Sequence, residues 1–158
     1  MNRRVLLSLP LLAVLPLPAF AADDALSVVE AYLAGWNAHD SAAAASQFAP
    51  EVVYYDASVG TPITGAEAAK TGVIDNFLTA APDAVWKMEG SPVVQDGKVA
   101  FEWTFSGTNT GPWADGTAAT GKAFSFTGAS VFVVEGGKIT HQSDYYDALG
   151  FYKQLGLM

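Results

Sequence analysis

The 158-residue sequence contains no cysteine, so no disulfide can be formed from it. Histidine is almost as scarce, with only His39 and His141. That count excludes a structural Cys/His metal cluster, and a serine triad would have to use one of these two. There is no Gly-x-Ser-x-Gly elbow to seat a nucleophile. The glycine-rich stretch 107–121 has neither Walker spacing nor Gly-x-Gly-x-x-Gly. No His, Asp and Glu cluster stands at metal-ligand spacing, so neither a metal nor another cofactor is expected. Basic residues are few: eight Lys and Arg face sixteen Asp and Glu, for a net charge of −8. Such a balance argues against nucleic acid and against anionic lipid surfaces as partners. What survives is cofactor-free proton chemistry or plain binding of a small ligand.

The first 21 residues read as a secretory signal peptide. Arg3 and Arg4 precede the apolar run 5–17, and Ala19-Phe20-Ala21 is a small-x-small cleavage site. Three prolines and the short length argue against a transmembrane anchor. Cleavage is expected after Ala21, with the product secreted or periplasmic and not inserted in a membrane. No later apolar segment is long enough to span a bilayer. Residues 22–158 suit one domain with a real core.

Residues 25–39 form an amphipathic helix, with Leu26, Val29, Tyr32, Leu33 and Trp36 on one face. Asp40 or Ser41 caps a second, short, alanine-rich helix. A short strand over 52–58 follows. Thr64 and Glu67 fit a capping box that opens a third helix, whose stripe includes Val73, Ile74 and Phe77. The rest reads as strand. Residues 99–107 alternate, with Val99, Phe101, Trp103 and Phe105 on one face. A long loop spans 108–121. A hairpin then turns at Glu135-Gly136-Gly137-Lys138, and residues 148–158 make a short closing helix. Three helices followed by an antiparallel meander imply an α+β fold. A strongly bent sheet wrapped on one long helix would leave an apolar concavity of the kind small ligands use.

The hairpin's second strand carries Asp144. Alternation groups it with Gln142 and Tyr146, opposite His141, Ser143 and Tyr145, and neither set is plainly the more apolar. Facing inward, Asp144 would be a desolvated carboxylate with a raised pKa, suited to act as a general base near neutral pH. Facing outward, it would be an ordinary surface acid. Asp56 shares parity with Tyr54, and the common reading for it is a strand-end aspartate bonded to turn amides ahead of Gly60. Tyr32 needs a partner for its hydroxyl, either a ligand oxygen or another core group. His39 and His141 read as surface residues.

Two sets of residues carry a family resemblance. The first is Val28-Val29-Glu30-Ala31-Tyr32, Trp36-Asn37-Ala38-His39-Asp40, Phe48-Ala49-Pro50-Glu51-Val52-Val53-Tyr54-Tyr55-Asp56 and Thr64-Gly65. It resembles the start of nuclear transport factor 2-like domains. The second is Ala81-Pro82-Asp83-Ala84, Gly107-Thr108-Asn109-Thr110-Gly111, Thr120-Gly121-Lys122, Gly137-Lys138-Ile139, Asp147-Ala148-Leu149-Gly150 and Gln154-Leu155-Gly156. It is similar to the SnoaL-like polyketide cyclase (ester cyclase) branch.

The resemblance implies a cone of three N-terminal helices on a strongly bent antiparallel sheet, with a deep apolar pocket, often in a homodimer joined through the outer sheet face. Asp144 matches the cyclases' acid/base carboxylate. In the more distant ketosteroid isomerases the catalytic aspartate matches Asp56, before Val59-Gly60. Their oxyanion tyrosine matches Tyr32, and their second oxyanion donor falls on Ala129. Asn109 and Ser143 stand where cyclases often have a histidine and an aromatic.

The expectation is an exported enzyme that abstracts a proton next to a carbonyl, leading to isomerisation or aldol-type cyclisation. Asp144 would be the base, Asp56 its assistant and Tyr32 the enolate donor. Trp36, Tyr54, Phe101, Trp103, Phe105, Gln142 and Tyr146 would bind a small hydrophobic substrate. The rivals are a non-catalytic periplasmic binding protein for a lipophilic ligand, and an interaction domain with a vestigial pocket.

Overall fold

The computed structural model describes residues 22–158. The proposed leader, 1–21, lies outside the described residues. Helix α1 (Ala22–Asn37) is followed by α2 (Ser41–Ala45), strands β1 (Phe48–Asp56) and β2 (Ile63–Thr64), and α3 (Ala66–Ala69). A π-helical turn (Lys70–Ile74) leads into α4 (Asp75–Ala80). Strands β3 (Val85–Gln95), β4 (Lys98–Thr108), β5 (Ala123–Glu135) and β6 (Lys138–Tyr146) come next, and α5 (Ala148–Leu155) closes the chain. The architecture is α+β, as expected. Among the described residues no helix is long and apolar enough to cross a membrane.

The six strands make one curved sheet in the order β2-β1-β6-β5-β4-β3. It is not purely antiparallel: β1 runs parallel to β6. A chain that leaves β1 for helices and a three-strand meander returns beside β1 in the same direction, a pairing no local pattern encodes. Register shifts interrupt β1/β6, β3/β4 and β5/β6, and such bulges bend strands.

The apolar face of α1 lies in the curve. Val29, Tyr32, Leu33 and Trp36 are buried, as are Val99, Phe101, Trp103 and Phe105 from β4. The Thr64–Glu67 capping box does not form. Thr64 is paired with Val53 in β2, and Gly65, at φ 102°, starts α3 with no side-chain cap. The π turn seats Val73 and Ile74 side by side in the core. It also brings Lys70 to within 2.8 Å of Asp75, five residues on. Asp147 caps α5 by accepting from the Gly150 amide, and α5 buries Phe151 and Leu155.

Candidate active site

Asp144 points inward, and a bulge is the reason. The hairpin pairs Val134 with Ile139 but Val133 with His141, so Thr140 is skipped. Ile139 and Gln142 are therefore both fully buried, although strict alternation would put them on opposite faces. After the bulge, Gln142, Asp144 and Tyr146 face the concave side. The same shift sets Ser130, not Ala129, opposite Asp144. Ser130 is buried, whereas Ala129 is exposed, so the position inferred for a second oxyanion donor lies outside the site.

Asp144 and Asp56 are register partners across the parallel β1/β6 pair. They are only 3% and 4% exposed, and neither of the two ion pairs among the described residues includes them. Neutral groups hold Asp144. Its Oδ1 accepts from the Ser130 hydroxyl at 2.5 Å, and its Oδ2 accepts from the Tyr54 hydroxyl at 2.6 Å and the Gln142 amide at 2.9 Å. Burial, and then the neighbouring Asp56 charge, push its pKa up to about 7 against the pull of those donors.

Asp56 is also raised by burial, opposed by its bonds to Ser58, Tyr146 and Val59. It accepts from the Ser58 and Val59 amides and from the hydroxyls of Ser58 and Tyr146. It is thus both a strand-end aspartate bound to turn amides and a member of the buried site.

Ser130 was not foreseen, because unbulged hairpin counting pairs it with Ser143. It accepts from the Trp103 indole at 2.7 Å while donating to Asp144. Trp103 reaches it because its ring lies over Gly128, where a Cβ would collide with the indole. With Ser130→Ala the carboxylate loses one donor, so the Asp144 pKa should rise by about one unit. A carbon-13 carboxyl titration by NMR reads this, and an unchanged midpoint would show that Ser130 does not tune Asp144.

Both carboxylates line a narrow chamber of about 20 Å³, with Tyr54, Trp36, Trp103, Phe105 and Tyr146 among its walls. These five expected residues are brought together there. The remaining three are not. Tyr32 is buried behind the chamber, and its hydroxyl has no hydrogen-bond partner. Phe101 stacks on Phe132 instead. Gln142 serves Asp144 from outside the lining.

Val73, Phe77, Trp86 and Phe126 complete the walls. Val73 and Phe77 were legible as the third helix's apolar stripe. Trp86 lies in a strand with no clean alternation, whereas Phe126 alternates with Ser125 and Thr127 in β5, a signal that could have found it. Asn109 is spent on structure, bonding Ala80, Gly111 and Thr120 to hold the loop after β4. Among the described residues no group of His, Asp and Glu could hold a metal ion.

The chamber has room for about one water, far less than the deep pocket the resemblance implies, because aromatic rings fill the space. A larger cavity of about 160 Å³ lies outside, lined by Trp113, Phe151 and Tyr152 among others. Phe77 lines the inner chamber and touches both Trp113 and Phe151, with ring centroids 5.4 and 6.0 Å away. Phe126, also on the chamber wall, lies 4.8 Å from Phe151, so these four rings stand between the two spaces. Phe151→Ala is expected to join them, raising affinity for a bicyclic ketone while costing about 3–5 kcal/mol of stability. Urea unfolding and calorimetric titration check the two effects.

The SnoaL-like polyketide cyclase profile matches residues 26–155. No curated protein matches the sequence. Among solved structures, TsrD from Streptomyces laurentii is similar at 25% identity and a TM-score of 0.74, covering 88% of this chain and 99% of its own. AclR from Streptomyces galilaeus, a candidate hydroxylase, is 20% identical with a TM-score of 0.73 over 87% and 84% of the two chains. A candidate SnoaL-like polyketide cyclase from Jannaschia sp. CCS1 is 13% identical with a TM-score of 0.73, over 90% of this chain and 97% of its own. The last two likenesses speak for the fold alone.

Proposed function

The chain belongs to the SnoaL-like polyketide cyclase family, and on that premise we propose that it is a cofactor-independent enzyme acting next to a carbonyl. Asp144 takes the α-proton and the C–H electron pair moves into an enolate. The enolate is then reprotonated at another carbon, or attacks a second carbonyl and closes a ring. The observation that carries this reading is Asp144 itself: buried, uncharged neighbours only at hydrogen-bond distance, and a pKa near 7. A base with that pKa is about half ionised at neutral pH and strong enough to accept a proton. Asp56 assists by its charge, which helps hold the Asp144 pKa up.

The test is α-proton exchange of 2-tetralone in heavy water, followed by NMR. Catalysed exchange whose rate climbs through about pH 7 is expected. Exchange no faster than buffer at every pH would overturn the reading.

One observation favours a second reading. A chamber of about 20 Å³ suits a non-catalytic module that binds a lipophilic ligand in the outer space. Native mass spectrometry would then find a ligand retained equally by the Asp144→Asn variant.

We further propose export, with cleavage after Ala21. Support comes from the leader's Arg3, Arg4 and apolar run. Cell fractionation with N-terminal sequencing should find Ala22 first, outside the cytoplasm. A homodimer through the outer sheet face is proposed as well. Val131 and Tyr145 are exposed there, the latter with its ring tilted 38° to that of Tyr55 at 5.5 Å. Sedimentation should give twice the chain mass, and Tyr145→Glu should halve it.

A further inference from the structure

The inner chamber has seven lining residues that carry polar side-chain atoms, and five of them are already engaged. Tyr54 donates to Asp144 and Tyr146 to Asp56. Trp103 donates to Ser130. The two carboxylates are acceptors. That leaves Trp36 and Trp86, whose rings line the chamber at 3% and 5% exposure. Both indole N–H groups are buried and make no well-formed hydrogen bond; Trp86 has no acceptor, and Trp36 has only the Tyr32 phenol near it. An indole nitrogen can only donate, and a buried donor left unpaired is costly. Two such donors beside one base are matched by a ligand that brings an acceptor.

We propose that the Trp36 and Trp86 indoles receive the carbonyl oxygen of a planar apolar ketone, which takes the place of the one water the chamber can hold while the ring body parts the Phe77, Trp113 and Phe151 side chains. This rests on the proton-abstraction reading of Asp144, and it supplies what that reading lacks. Charge develops on oxygen as the enolate forms, and fixed donors in a dry site stabilise it.

Tyr32 does not compete for the role. Its hydroxyl lies behind the chamber, where the Trp36, Tyr54 and Gln142 side chains act on it and burial drives its pKa far up. The Trp36 indole borders both regions, and a ligand oxygen would offer it a better acceptor than a phenol held neutral. The two rings stand perpendicular with centroids 5.2 Å apart, so they form one corner of the chamber rather than two separate walls. Asp144 lines the same chamber, so acceptor recognition and proton removal share one small space.

The experiment compares binding of 2-tetralone and of tetralin, the same ring system without oxygen, by calorimetry. The wild-type protein should prefer the ketone. Trp36→Phe and Trp86→Phe should each weaken ketone binding about five-fold and leave tetralin within two-fold. Equal losses for both ligands would reduce the indoles to packing and overturn the proposal.

A second measurement needs no variant. The sequence has four tryptophans, and their indole N–H resonances are resolved by nitrogen-15 labelling. Two should move downfield with 2-tetralone and stay in place with tetralin. No ketone-specific movement overturns the proposal. If the Asp144 reading alone fails, exchange is absent while the ketone preference and its loss in the Trp variants persist.

Discussion

Asp144→Asn is expected to lower catalysed α-proton exchange of 2-tetralone by about 10³-fold, the middle of the range for a positioned general base. The amide has the carboxylate's shape but cannot take a proton. The fold should survive the change. Gln142 now donates to Asp144 at 2.9 Å, and its own Oε1 is buried without a partner. Reversing that amide presents Oε1 to the new NH2 group. The pH profile is the sharper readout. The parent rate should rise through about pH 7 as Asp144 ionises, and the residual rate of the variant should be flat. A variant rate within ten-fold of the parent would remove Asp144 as the base. A surviving rise with pH at low rate would transfer the role to Asp56, which lines the same chamber and also has a raised pKa.

Local pattern made part of this site readable. The alternation of Val99, Phe101, Trp103 and Phe105 places that face of β4 in the core, and all four are buried. The i, i+3, i+4 spacing of Val29, Tyr32, Leu33 and Trp36 does the same for α1. The facing of Asp144 was not readable, because it depends on the skipped Thr140. Counting from Ile139, an obvious core residue, would turn Asp144 outward. The bulge reverses the parity, and Thr140 carries no turn signal to announce it. The role of Ser130 is hidden by the same one-residue shift.

Non-local features were hidden for a different reason. The parallel pairing that sets Asp56 beside Asp144 joins strands 88 positions apart at that register pair. Sequence suggested both aspartates separately, one by resemblance to cyclases and one by resemblance to isomerases. It did not show that the two share a chamber. Packing density was equally out of reach. Each aromatic was visible as a wall, yet that Trp36, Trp86, Trp103, Phe77 and Phe105 leave only about 20 Å³ between them follows from interdigitation in three dimensions. Tyr32 illustrates the limit: its helix face was right, but one further turn along α1 it is Trp36 that reaches the chamber.

Stability should fall as pH rises from about 4 to about 7, and the inactive Asp144→Asn variant should be the more stable protein above that window. In the folded chain the Asp144 pKa is about 7, raised from 3.8. Below pH 4 the group is protonated in both the folded and unfolded states, so its contribution is fully present. Between 4 and 7 the unfolded chain releases its proton while the folded chain keeps it, and stability drops. Above 7 both are ionised and the loss is complete, on the order of 4 kcal/mol for a shift of about three units. Asp56 is raised by burial too, so it acts in the same direction. Asp75, Asp83, Glu89 and Asp115 are lowered by their hydrogen bonds and oppose it, but only as pH falls through the acid range below about 4. Stability should therefore peak near pH 4–5. Urea midpoints measured from pH 4 to 9 test this. A parent curve flat across 4 to 7, or a variant less stable than the parent at pH 8, would mean that burial does not penalise the ionised form of Asp144. The expected outcome locates the cost of the site: the chain retains a desolvated carboxylate that weakens it at neutral pH, and in this fold the use that matches such a group is accepting a proton from a ligand.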